Sequence, residues 1–254
     1  MHFSRVTEWA TILKIIMCTV TFVPKRYGCL VAMNRDDMRT RPQALPPEVR
    51  RTGDLESVYP TEPGGGTWCG ANERGLIFTL LNWHVAKGTK KRTRGEVIPR
   101  VLAFANFEDV QRKLEHMYFA GMLPFRLIGF SIPEKAVREW RWDGAKLTCI
   151  SHPWTLGHWF SSGMSDEQAE ATRRPVCKTA KRQMDAGSAA WVRRLHRSHA
   201  PECGAFSICV HRADAATLSY TEVLSTRHGT TMRYLQGNPC ERNLHVVTKL
   251  PHDP

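Results

Sequence analysis

Met17-Cys18-Thr19-Val20-Thr21-Phe22 decides how this chain is read, because it sets a cysteine at the head of a short alternating strand. With Met17 as the initiator, methionine removal leaves Cys18 carrying both a free α-amine and a thiol, a base and a nucleophile on one residue. The ordinary thiol pKa is about 8.5 and that of an α-amine about 7.7 to 8.0, so near neutral pH the amine takes the thiol proton directly or through one water. The competing reading is a small buried strand cysteine, the usual place of a free cysteine.

After Cys18 the chain turns at Lys25-Arg26-Tyr27-Gly28 and returns through Leu30-Val31-Ala32-Met33 to Asn34-Arg35-Asp36-Asp37. A hairpin joins its two ends, which brings Arg35 and Asp36 within reach of Cys18. There a cation favours the thiolate and a carboxylate holds the amine. Adjacent residues of an extended chain point to opposite faces, so only one of Asp36 and Asp37 is expected to face Cys18. Further on stand Gly64-Gly65-Gly66-Thr67-Trp68-Cys69-Gly70-Ala71-Asn72-Glu73-Arg74-Gly75-Leu76 and, after an apolar run, Asn82.

These ordered motifs resemble the NRDE family, also called the transport-and-Golgi-organisation family. The likeness runs from Met17 to about Cys240 and includes Arg94-Gly95-Glu96 and Ser207-Ile208-Cys209-Val210-His211-Arg212. The first third is also similar to choloylglycine hydrolases and penicillin V acylases, which are N-terminal-nucleophile hydrolases. The resemblance implies an α+β protein with the four-layer αββα fold, two antiparallel sheets covered by helices. It implies Cys18 as nucleophile, Arg35 and Asp36 as its immediate partners, and Asn82 as an oxyanion donor. The activity implied is hydrolysis of a linear C–N bond in a small amide, through a thioester. The rival it allows is a non-catalytic pocket protein that handles a lipid, acyl or haem-like ligand.

Two departures from the family pattern count against a fully equipped hydrolase. Many members carry Ser-Asn where this chain has Ser161-Ser162, so Ser162 stands in for a second oxyanion donor with a shorter reach. Many read Gly-Thr-Arg-Ser where this chain has Gly204-Ala205-Phe206-Ser207, so a late arginine is absent.

The 254 residues, 42% hydrophobic and 24% charged, suffice for one substantial core. One domain over residues 18–254 is expected, with 1–17 as an extension from a start codon assigned too early. Lys14 interrupts the nearby apolar residues, so no membrane span or cleavable signal is expected there. Eight scattered cysteines lack the spacing of a disulfide framework and suit a reducing cytoplasm. The net charge of +12 would draw anionic surfaces only weakly. Lys87, Lys90, Lys91, Arg92 and Arg94 form one basic group; Arg173, Arg174, Lys178, Lys181, Arg182, Arg193, Arg194 and Arg197 form a second at helix-like intervals, whose default is a solvated helix face. Neither a zinc-finger spacing nor an aromatic RNA-binding strand accompanies them, which argues against a specific nucleic-acid partner.

Along the chain, Arg39 to Pro63 with its five prolines reads as an irregular loop, and residues 67–71 and 76–83 as a second hairpin. Helices are expected over Arg94 to Ala105, interrupted by Pro99, and over Phe107 to Phe119. Strands follow at 125–128, 137–142, 147–151 and 157–162, with a turn at Trp142-Asp143-Gly144. Ser165 caps a helical region that breaks at Pro175 and reaches towards Leu195, and two last strands cover 206–212 and 217–224. His196, His199, Cys203, Cys209 and His211 are the densest group of metal-capable residues. Their spacing matches no standard structural zinc pattern, so no metal or other cofactor is expected.

Overall fold

Alternation along the first hairpin sorts its side chains into two environments. The computed structural model describes residues 17–83, 92–243 and 245–252, and its first two strands are β1 (Cys18–Lys25) and β2 (Gly28–Met38). Cys18, Val20, Phe22, Cys29, Val31 and Met33 face one apolar core. Leu30 and Ala32 face another. The turn between the strands needs its glycine: at Gly28 φ is +153°, and a Cβ there would lie 2.0 Å from the Ser225 carbonyl oxygen.

The remaining strands are β3 (Leu45–Thr52), β4 (Leu55–Thr61), β5 (Cys69–Asn72), β6 (Leu76–Asn82), β7 (Phe125–Ser131), β8 (Ala136–Trp142), β9 (Leu147–His152), β10 (Gly157–Ser161), β11 (Ala215–Thr226), β12 (Gly229–Gln236) and β13 (Val246–Pro251). They form two antiparallel sheets, ordered β10-β1-β2-β11-β12-β13 and β3-β4-β5-β6-β7-β8-β9. The helices are α1 (Val97–Val101), α2 (Phe107–Glu115), α3 (Asp166–Ala180) and α4 (Ala189–His196). The first core lies between the sheets, where Val20, Phe22 and Met33 meet Ile77, Ile128 and Phe130. A second joins α1 and α2 to the outer face of the seven-stranded sheet through Ile98, Val110, Phe78 and Trp140. A third joins α3 and α4 to the six-stranded sheet through Cys177, Trp191, Leu30 and Tyr220. Two sheets packed face to face with helices outside each are the expected αββα sandwich.

Several local expectations differ from the structure. Arg39 to Pro63 contains the hairpin β3–β4 rather than an irregular loop. Its strand prolines, Pro46, Pro47 and Pro60, fall within a register shift between the pairs Leu45–Thr61 and Glu48–Tyr59, on the edge of the sheet. A bulge at an edge is where a strand tolerates proline. Pro99 lies in the first turn of α1, where its missing N–H has no intrahelical use, so it does not interrupt the helix. Nor does Pro175, exposed on α3, break that helix; the break comes at 181–188, before Ser188 accepts the Trp191 N–H to cap α4. Residues 206–212 are not a strand: only an isolated bridge pairs His211 with Ala216. Lys87, Lys90 and Lys91 of the first basic group, and the apolar residues around Lys14, lie outside the described residues. Among those described, no helix is long and apolar enough to cross a membrane.

One buried charge makes the fold acid-sensitive. Glu139 of β8 is fully buried and accepts from Arg126 at 2.6 Å and Arg141 at 2.7 Å, with His152 at 2.7 Å. Burial alone would raise its pKa; the two guanidiniums outweigh it and hold the carboxyl down at about 2. A depressed pKa contributes stability above the unfolded value of about 4.5 that is lost as pH falls towards 2, about 3 kcal/mol in full. Urea midpoints measured across that window should therefore drop more steeply in the wild type than in Glu139→Gln. Parallel acid limbs would show that Glu139 carries no linkage.

Candidate active site

Cys18 is 4% exposed at the first residue of β1, beside a cavity of roughly 140 Å³. The antiparallel register pairs Cys18 with Arg35 on one side and Ser161 on the other, so these three side chains share a face. The tetrapeptide after Met33 alternates across the sheet. Arg35 and Asp37 point into the cavity with Cys18, while Asn34 and Asp36 lie on the helix-covered face. Asn34 donates to the carbonyls of His196 and Ile208, tying α4 and the 206–211 segment to β2. The carboxylate that shares the cavity with Cys18 is thus Asp37, whereas Asp36, expected there, lies on the opposite face of the strand against Thr217 and Arg173.

Around the cavity, Arg35 meets Asp37 at 3.1 Å and Glu62 at 2.5 Å, and Arg41 meets the same two at 3.4 and 2.6 Å. The Arg35 guanidinium also lies 4.3 Å from the Trp68 ring centre, a cation–π contact. Asn82 lines the same cavity from the end of β6. Arg94 lines the cavity as well, and glycines put it there. The 64–66 glycine run and Arg94-Gly95-Glu96 touch backbone to backbone, Thr67 N–H donating to the Gly95 carbonyl at 3.0 Å, and a Cβ on Gly95 would sit 2.9 Å from Gly66 Cα. Burial pulls the Arg94 pKa down to about 10, with the Cys18 sulfur, Asp37 and Glu62 opposing the fall.

Beneath Cys18 lies a residue that sequence reasoning assigned to a solvated face. Arg173 of α3 is fully buried, donates to the Cys18 carbonyl at 3.1 Å, to Thr19 Oγ1 at 2.8 Å and to the Phe206 carbonyl at 3.2 Å, and stands 3.6 Å from Asp36 Oδ2. Its signal was present in the spacing: Ala169, Arg173 and Cys177 recur every fourth residue and are the buried stripe of α3. Asp36 accepts from Thr217 Oγ1 at 2.6 Å, and its Oδ2 is buried without a hydrogen-bond partner. Burial pushes the Asp36 carboxyl up to about 7 against the pull of Arg173 and Thr217. The Cys18 thiol is raised to about 12, first by burial and then by the Asp36 charge, against a smaller opposing effect of Arg35.

Ser162 is not placed as a second donor. Its hydroxyl accepts the N–H groups of Met164 and Ser165 and its own N–H donates to Asp166, so it shapes the entry to α3. Ser161, opposite Cys18 in the register, has a buried hydroxyl without a partner. The histidine and cysteine group also separates. His196 is core, bonded to Asn34 and Thr21 and pushed down to about 3 by burial, and Cys203 is exposed. His199, Cys209 and His211 converge instead with Cys240, from the connection between β12 and β13.

A sandwich of two antiparallel sheets with helices on its outer faces is the N-terminal-nucleophile-hydrolase-like fold, and solved structures share it. A penicillin V acylase from Agrobacterium tumefaciens superposes with a TM-score of 0.55 at 12% identity, over 92% of this chain and 86% of that one. Two variants of the conjugated bile acid hydrolase from Clostridium perfringens give 0.50 and 0.51 at 10% and 11% identity, over 92% and 93% of this chain and 92% and 97% of theirs. At such identities the likeness is one of fold. No curated protein matches the sequence. The family model for Transport and Golgi organisation 2 matches residues 15–153, more than half of the 254, and the chain belongs to that family.

Proposed function

We propose that this protein is an amidohydrolase of the N-terminal-nucleophile type, with Cys18 as nucleophile on a linear C–N bond of a small amide. The observation that carries the reading is the meeting of Cys18, Arg35 and Asn82 on one cavity, over a buried Asp36 whose Oδ2, 3.6 Å from the Arg173 guanidinium, accepts no hydrogen bond. An α-ammonium on Cys18 is the kind of donor that such an oxygen accepts, and it arises when the chain before Cys18 is removed. The amine then takes the thiol proton; the thiolate attacks the amide carbonyl; and Asn82 donates to the developing oxyanion. Collapse expels the amine product, which leaves with the proton held by the α-ammonium, and a thioester remains. The α-amine next deprotonates a water, which displaces the Cys18 sulfur as the acid product departs. Ser161 is the better candidate than Ser162 for a further donor, since it pairs with Cys18 in register.

The carrier reading draws on one observation, the burial of Cys18, 4% exposed behind a buried Met17, which pushes its thiol up and makes an inert sulfur. The cavity, roughly 140 Å³, is below the roughly 300–1,000 Å³ of cofactor-sized pockets, which disfavours a haem-like ligand. Mass spectrometry of the purified protein combined with an electrophilic acyl-amide probe tests both. An N-terminus at Cys18 with stoichiometric labelling that Cys18→Ser abolishes is the expected result. A chain that keeps Met17 and resists the probe sinks the hydrolase reading. A reducing, cytoplasmic setting fits this chemistry and is part of the proposal.

A further inference from the structure

The geometry assigns a four-coordinate zinc site to His199, Cys209, His211 and Cys240, none of which lines the cavity at Cys18, so the site is independent of the hydrolase reading. Their four ligand atoms all lie within 4.8 Å of one another. Cys209 Sγ is 3.5 Å from Cys240 Sγ and 3.7 Å from His211 Nε2, and His211 Nε2 is 3.0 Å from Cys240 Sγ. Zinc bonds of about 2.3 Å to sulfur and 2.0–2.1 Å to nitrogen require tetrahedral edges of about 3.8 Å between sulfurs, 3.6 Å between sulfur and nitrogen and 3.4 Å between nitrogens. The Cys209–Cys240 and Cys209–His211 separations match those edges to within a few tenths of an ångström, the His211–Cys240 pair is shorter by about 0.6 Å, and His199 stands within 4.8 Å of the other three, close enough for its ring to swing onto the ion. Two thiolates and two imidazoles are also the donor set that tetrahedral zinc prefers over harder, oxygen-seeking ions.

Two further observations point to an ion rather than to chance packing. His199 Nε2 is buried with no hydrogen-bond partner, an orphan that a metal bond would satisfy. His211 turns Nε2 to the sulfurs while its Nδ1 lies 3.6 Å from Glu241 Oε1 and 3.4 Å from the Asn238 amide, whose buried Oδ1 has no partner and accepts the Nδ1 proton once the amide is turned over. A carboxylate on the remote ring nitrogen is the arrangement that orients metal-ligating histidines. On binding, Cys209 and Cys240 each release a thiol proton to solvent and the histidines bind neutral, so zinc enters in exchange for two protons.

Such a site would clasp three segments that no sheet joins: the chain just after α4, the 206–211 segment and the connection between β12 and β13. The middle segment supports the nucleophile, since the Phe206 carbonyl accepts from Arg173 and the Val210 N–H donates to Thr217 Oγ1, the partner of Asp36. Neither an approach by spacing nor one by local motif finds the site, because Cys240 lies 29 residues beyond His211.

The test is elemental analysis of the whole chain, purified under reducing conditions and passed over a chelating resin, with cobalt(II) titration of the metal-stripped protein. Expected are a single zinc per chain and, with cobalt, the intense red-region bands of a tetrahedral site plus a thiolate charge-transfer band. Cys240→Ser and His199→Gln should each lose the metal, Cys203→Ser should keep it, and Glu241→Gln should weaken it about 10- to 100-fold. Wild-type protein that yields an octahedral cobalt spectrum overturns the assignment without recourse to any variant. So does zinc retained in Cys240→Ser, or an intact mass lighter by two hydrogens that maps to a Cys209–Cys240 disulfide.

Discussion

Arg173→Met should cost about 3–5 kcal/mol of stability, because it strands the Asp36 carboxyl in a dry site beneath Cys18. The guanidinium is fully buried, and its bonds to the Cys18 carbonyl, Thr19 and the Phe206 carbonyl pin the start of β1 to α3 and the 206–211 segment. The neighbouring Arg174→Met removes only an exposed pair with Glu170 and should stay within about 0.5 kcal/mol. The cost at Arg173 should also depend on pH. With its pKa pushed up to about 7, Asp36 is protonated at pH 5.5 and ionised at 8.5, so the loss of its cation should weigh more at the higher pH. Asp36→Asn placed on Arg173→Met should restore part of the stability at pH 8.5, since an amide needs no counter-charge. Urea midpoints of the four proteins at both pH values decide it. An Arg173→Met chain as stable as wild type at pH 8.5 would show that the two side chains do not form an ion pair.

Those residues also mark where the sequence is and is not readable. The first hairpin was legible because Cys18, Val20 and Phe22 alternate with Thr19 and Thr21 and a glycine turn follows, a pattern that sets both pairing and register. The cap at Ser165 was legible for the same local reason, and the structure has its hydroxyl accepting the Gln168 N–H. Asn82, pointed to by the family resemblance rather than by any local pattern, ends β6 and lines the cavity. What failed was of two kinds. Proline counting turned β3 and β4 into a loop, although their strand prolines sit in one bulge at a sheet edge. Long-range partners were out of reach: Arg173 meets Asp36 across a sequence gap, and Cys240 joins His211 only because the sheet order sets the end of β12 near the end of α4. The alternation rule predicted that Asp36 and Asp37 would part, but it did not say which one faces Cys18. That choice rests on the register, with Cys18 opposite Arg35, which sends Asp37 to the cavity.

Freeing the α-amine of Cys18 should raise the alkylation rate of this thiol about 50- to 100-fold at pH 8. With Met17 attached, the thiol is held at about 12, so the thiolate fraction at that pH is on the order of 10⁻⁴. An adjacent ammonium that offsets the burial penalty and returns the thiol to an ordinary value of about 8.5 increases that fraction by more than three orders of magnitude. A less basic thiolate is also a weaker nucleophile, and a Brønsted slope of about 0.4–0.5 takes back about one and a half orders. The measurement compares iodoacetamide labelling of Cys18 in the whole chain and in a chain released by a protease that cuts before Cys18. In the whole chain, two substitutions should move the rate in opposite directions. Asp36→Asn removes the charge that, after burial, does most to raise the thiol, and should speed labelling; Arg35→Ala removes the cation that opposes it, and should slow labelling. Equal rates before and after release would show that the amine and thiol of Cys18 do not communicate. The nucleophile would then need another base, and the cavity offers two carboxylates, Asp37 and Glu62, both already engaged by Arg35 and Arg41.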